Sequence, residues 1–189
     1  MTLPRGFKSE AERIAADLRA RVGADPRGEL DLRRLAKELG VRVVAADTLI
    51  GLDRLEELER LQAFAFSACT FDINGAPVIV YNPLRTEARR VSDIAHELAH
   101  IILKHDLSEI QELDGVPFRT CQADQEEQAT AFAGTLLLPR SLLLEAARNG
   151  ETFDDIARRL GVTVDMARFR WNTTGVERQA AASQARRRQ

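Results

Sequence analysis

The stretch from Val91 to Asp106 reads VSDIAHELAHIILKHD and contains every histidine in the chain: His96, His100 and His105. With His96 as origin and about 100° per residue, Val91, Ile94, Ala95, Leu98, Ile101 and Ile102 all fall within about 140–260°, and His100 falls near about 40°. An α-helix divided in this way buries its apolar stripe and turns the His96/His100 pair to the opposite side. The fold must therefore lay this helix on a core, with two imidazoles facing either a cleft or solvent.

His-Glu-x-x-His is a helical metal motif with a mechanical basis. Residues four apart lie one turn apart on one face, so two imidazoles can reach a single ion. Glu97 sits about 100° round the helix, where it can reach an ion's water without joining the ligands, as a general base should. The pair fits a solvated helix face equally well, so a third ligand has to decide. His105 is a poor one. It falls near about 180° if the helix continues that far, and reads as a helix C-terminal residue favoured by the macrodipole, the alternative being a part behind a ligand or toward a substrate. The better candidate is a carboxylate on a second helix, as in two-His, one-Glu zinc sites. In QEEQATAFAGTLLLP, Ala129, Phe132, Ala133, Leu136 and Leu137 form the apolar stripe. Glu126 lies about 60° from its centre and Glu127 about 160°, so Glu126 borders the core and Glu127 faces solvent. An ordinary acidic helix start would look the same, so spacing alone leaves both readings of Glu126 open.

Three pieces together resemble the ImmA/IrrE family of bacterial metallopeptidases: QAFAFSACTF, VIVYNPLRTEARRVSDIAHELAHIILKH and EEQATAFAGTLLLP. The last matches that family's E-x-x-A-x-x-F-A…L-L-x-P pattern at Glu126, Ala129, Phe132, Ala133, Leu136, Leu137 and Pro139. LDLRRLAKELGVRVV fits as well, so the likeness spans about residues 10 to 140. It departs at Ala99, where many members carry Gly, and at Thr130, where Asn or Asp is common. The resemblance implies a zincin-like, gluzincin-type centre with His96, His100 and Glu126 on the metal and Glu97 as base. Zinc is the implied ion, with manganese as the alternative. Tyr81, the only tyrosine, is placed as a second catalytic group steadying the oxyanion, with Arg89 and Arg90 as further candidates. Asp93 is a candidate to orient a ligand histidine, and Cys121 a candidate inhibitory thiolate.

The rest of the chain predicts an α+β fold: a small antiparallel sheet packed against the helices that carry HExxH and the Glu ligand, followed by a C-terminal helical hairpin. Ser9 is expected to cap a first helix, and Gly40 to stop a second before the strand VRVVA. Phe64, Phe66, Ala68 and Thr70 alternate into a hairpin that turns at Asn74-Gly75 and returns through PVIVY. A helix runs to about Lys104. Residues 106 to 124 read as a loop. Residues 1–139 form the metallopeptidase core, 140–176 a helix-turn-helix-like segment, and 177–189 a flexible basic tail.

Composition narrows the function. A net charge of −2 gives no general pull toward nucleic acid. Residues 140 to 189 hold ten arginines against six acids, too sparse for a dense DNA-reading face. No apolar run suits a signal peptide or a membrane span, and the two cysteines form no CxxC, so a cytoplasmic chain with reduced thiols is expected. Two functions follow. The first is a zinc endopeptidase that, by the family association, cleaves a helix-turn-helix repressor to derepress stress, phage or mobile-element genes. The second is a non-catalytic zincin-like regulator that binds a protein partner or DNA.

Overall fold

A computed structural model describes residues 3–61, 66–105, 110–113, 116–119 and 122–187. Phe64 and Cys121 lie outside the described residues.

The sheet is organised by the Asn74-Gly75 turn. Both residues take positive φ, 56° and 80°, the backbone that lets two strands reverse without splaying. They join β2 (Ala68–Ile73) to β3 (Ala76–Tyr81) in an antiparallel register that sets Thr70 opposite Ile79. β1 (Arg42–Ala45) pairs with the other edge of β3, in parallel. The order is thus β1-β3-β2, and the sheet is mixed rather than wholly antiparallel. A parallel pair needs a crossover, and here it passes through α3 (Asp47–Ile50), α4 (Leu52–Leu61) and β2. The central strand β3 is covered on both faces. Ile79 and Tyr81 join the main core, while Val78 and Val80 pack with Ala46 and Leu55 in a second cluster. That double burial explains why PVIVY lacks a polar alternate.

α1 (Phe7–Arg21) begins two residues before the expected Ser9 cap. Gly6 takes the cap position instead, and its carbonyl accepts from the Ser9 and Glu10 amides. The Asp31 carboxylate caps α2 (Leu32–Glu38) by accepting from the Arg33 and Arg34 amides. Thr86 caps α5 (Glu87–Ile102) by accepting from the Arg89 amide. α6 (Ala123–Leu137) stops just before Pro139. α7 (Arg140–Asn149), α8 (Phe153–Leu160), α9 (Val164–Thr174) and α10 (Val176–Arg187) complete the chain.

Two expectations are corrected. Residues 106 to 124 are not all loop, because β4 (Ile110–Leu113) and β5 (Val116–Arg119) pair antiparallel there. The flexible tail expected from 177 is helical to Arg187, because Val176 and Ala180, one turn apart, bury their side chains as α10 packs on α7. No helix among the described residues is long and apolar enough to cross a membrane.

α5 and α6 pack against each other, and α6 also packs on α1 and α9. The far end of α6 is held by two buried guanidiniums. Arg19 of α1 donates to the Leu136 carbonyl, and Arg170 of α9 donates twice to that of Leu138, at 3.2 and 3.1 Å. Cations there satisfy carbonyls that a helix end leaves without partners. Gly134 makes the approach possible, since a Cβ at that position would stand 2.7 Å from Arg170 Cδ. The same core includes Leu98, Leu136, Leu142, Ile156 and Ala167, so it runs through α5 and α6 into the C-terminal helices.

Candidate metal centre

On α5, Ile94, Ala95 and Leu98 of the expected stripe are buried, Val91, Ile101 and Ile102 pack partly buried against the same core, and Ala99, outside that stripe, is buried as well. His96 and His100 consequently point the other way, toward the first turn of α6, where Glu126 projects. His96 Nε2 lies 3.1 Å from Glu126 Oε2, His100 Nε2 lies 3.3 Å from Glu126 Oε1, and the two Nε2 atoms are 3.1 Å apart. Among the described residues this is the group of ligating side chains able to hold a metal ion. Glu127, expected in solvent, is half-buried instead.

The donor set suits a divalent cation. With one ligand atom taken from each residue, all three lie within 4.8 Å of one another, and ligand atoms about 2.0–2.1 Å from one zinc ion in tetrahedral positions stand about 3.3–3.4 Å apart. Nitrogen and oxygen lone pairs facing one another at such distances need a cation or proton between them. The side chains are 26%, 15% and 37% exposed for His96, His100 and Glu126, so the centre is open on one side to a further ligand.

His96 opens on a cleft of about 420 Å³ that it lines with Ser67, Ala68, Arg89, Asp93, Glu97 and Met166, among others; His100 and Glu126 do not line it. Glu97 is only 7% exposed, yet it reaches the cleft wall, and its Oε2 accepts from the Thr70 hydroxyl on β2 at 2.5 Å. Thr70 was not singled out by sequence reasoning. The only signal was its place in an alternating strand, and nothing in that pattern links it to a carboxylate 27 positions on. Asp93 is paired with Arg89, Nε to Oδ1 2.9 Å. Burial raises the pKa of Asp93, with Arg89 pulling in the other direction. Arg90 donates to the Pro83 carbonyl.

Tyr81 lies elsewhere. At the end of β3 its ring is part of the core, its hydroxyl accepts from Arg33 of α2 at 3.1 Å, and it is not among the residues lining the cleft. Strand alternation explains this, since Tyr81 shares the face of Ile79 in the main core. The proposed catalytic part for Tyr81 therefore has no support in the geometry.

His105 is placed differently from the helical extrapolation. α5 ends at Ile102, and Lys104 takes φ +56°. The Lys104 amide donates to Ile101 and the His105 amide to His100, a Schellman closure with a non-glycine residue at the left-handed position. This reversal brings His105 back over the helix end, its Nδ1 3.1 Å from His100 Nδ1. Desolvation lowers the pKa of His105, which favours the neutral ring.

The sequence model of the IrrE N-terminal-like domain, Peptidase_M78, matches residues 36–172. The chain belongs to this family. The matched span opens within α2 and closes within α9, so it takes in the sheet, the metal candidates and the helical hairpin of α8 and α9. Membership in Peptidase_M78 makes the domain one of metallopeptidase kind and implies a metal. No curated protein matches the chain. Among solved structures, a Mycobacterium tuberculosis transcriptional regulator superposes with a TM-score of 0.55 at 21% identity. The match covers 87% of this chain and 46% of the regulator, so the chain spans less than half the length of that protein. At that identity the likeness bears on the fold, which it shares with this Peptidase_M78 domain.

Proposed function

We propose that the chain is a cytoplasmic zinc-dependent endopeptidase of the gluzincin type, and that its substrate is a helix-turn-helix repressor whose cleavage derepresses stress, phage or mobile-element genes. The convergence of His96, His100 and Glu126, with His96 and Glu97 lining one cleft, carries the reading. The regulator among the structural neighbours favours a place in transcriptional control.

His96, His100 and Glu126 would hold the ion. A divalent cation held there would supply Lewis acidity, making a water nucleophilic near neutral pH and polarising a peptide carbonyl. Glu97 takes that water's proton as it attacks the carbonyl and returns it to the leaving amine. Thr70 holds Glu97 from the sheet side, fixing which way the carboxylate points. Arg89, paired with Asp93, is the guanidinium on the cleft wall and would have to exchange that partner to meet the developing oxyanion. Because α9 buries Ala167 and Arg170 and exposes Asp165 beside Arg168, the hairpin offers little basic surface to DNA.

The reading is tested by incubating the protein with a small helix-turn-helix repressor encoded by a neighbouring gene, with Zn²⁺ and with a chelator. Cleavage seen by mass spectrometry in the Zn²⁺ arm alone is expected. An intact repressor in both arms, with zinc demonstrably bound, would favour the non-catalytic regulator instead.

Thr70→Val removes a hydrogen bond to a charged group, worth about 1.5–3 kcal/mol, so kcat should fall about 10–100-fold. Thr70→Ser keeps the hydroxyl and should recover most of the rate. Equal rates for Thr70→Val and the parent would rule out the positioning part given to Thr70.

A further inference from the structure

We propose that His105 is a positioning residue for the metal centre: its ring accepts the Nδ1–H of His100 and fixes the tautomer and rotation with which His100 Nε2 meets the ion. The inference rests on reading His96, His100 and Glu126 as the ligands.

His100 has two ring nitrogens with separate tasks. Nε2 faces His96 and Glu126, so its lone pair is the one available to a cation, and the ring hydrogen then sits on Nδ1. A ligand histidine whose second nitrogen is held by an acceptor is more basic and keeps one ring orientation. In this chain the atom opposite His100 Nδ1 is Nδ1 of His105, at 3.1 Å, with the two rings edge to face at 74°. His105 can accept only as the tautomer carrying its hydrogen on Nε2.

The backbone is arranged for the same contact. Had α5 continued, His105 would point away from His100, on the core side of the helix. Lys104 instead adopts a left-handed conformation that a residue with a side chain disfavours. The two closing hydrogen bonds, to Ile101 and to His100 itself, anchor His105 to the residue its ring touches. Backbone strain held next to a ligand is what a functional constraint produces.

The test uses the full chain and Zn²⁺ alone. His105→Ala should weaken Zn²⁺ binding about 10–100-fold in competition with a chromogenic chelator. It should also shift the d–d absorption of the Co²⁺-substituted protein and leave the melting temperature of the metal-free chain unchanged. His105→Asn sets an amide oxygen near the place of Nδ1 and should restore most of the affinity. Unchanged affinity and an unchanged Co²⁺ spectrum in His105→Ala overturn the inference. So does a metal-free chain destabilised by that change, coupled with no rescue by Asn, which marks a purely structural role. If the Ala variant does not fold, a folded Asn variant with weakened affinity overturns the inference, and one with parental affinity supports it. A parent chain that binds no Zn²⁺ is a different failure, because it removes the metal centre itself along with the inference built on it.

Discussion

Replacing Glu97 with Gln is expected to cut kcat for repressor cleavage by about 10²–10⁴-fold, the usual contribution of a general acid–base group, while Zn²⁺ stays bound. The proposed ligands are His96, His100 and Glu126, and none of them is touched. Gln is nearly isosteric and still offers an oxygen to the Thr70 hydroxyl, so the carboxylate's place is kept and only its basicity is lost. Activity and zinc content should therefore separate in one variant. Cleavage within tenfold of the parent would show that Glu97 is not the base. Loss of zinc together with activity would show that the residue supports the centre rather than the proton transfer.

Replacing Arg170 with Leu should destabilise the protein at the lower end of the about 3–5 kcal/mol seen when one partner of a buried charge pair is removed. Arg170 is 6% exposed. It donates to Glu12 at 2.8 Å and twice to the Leu138 carbonyl. Burial lowers its pKa, and Glu12 offsets part of that shift. Leucine fills part of the volume but leaves the carbonyl without its donors and the Glu12 carboxylate without its cation. Glu12 keeps some contact with water, which is why the lower end is expected. At about 2–4 °C per kcal/mol for a chain of this size, the melting temperature should drop roughly 6–12 °C. Thermal unfolding followed by circular dichroism would measure it. A drop below about 2 °C, or under about 1 kcal/mol, would mean the clamp contributes no more than an exposed ion pair.

Periodicity was a reliable guide where burial is one-sided and the element stays regular. The wheels of α5 and α6 put Leu98, Phe132 and Leu136 in the core, turned His96 and His100 away from it and set Glu126 at its border, because an amphipathic helix has one way to face a core. The same wheel misplaced His105, since it assumes a helix that persists, and Lys104 gives none of the warning a glycine would. Thr70 was beyond reach for another reason: its partnership with Glu97 depends on how the sheet docks on α5, which no local pattern encodes. The pairing of β4 with β5 was obscured by Pro117 and mixed polarity, despite the Asp-Gly dipeptide at 114–115. The α10 helix rests on two small anchors, Val176 and Ala180, too few to register as an apolar stripe. Tyr81 was singled out for its rarity, and rarity carries no information about direction.

Met166 of α9 lines the cleft, and Arg170, one turn further along α9, clasps the end of α6. A protein shortened after Pro139 would lose both at once: this part of the cleft wall, and the fastening on the far end of the glutamate-bearing helix. The hairpin is thus less a passenger than a jaw, and whatever grasps its outer side also bears on the mouth of the cleft.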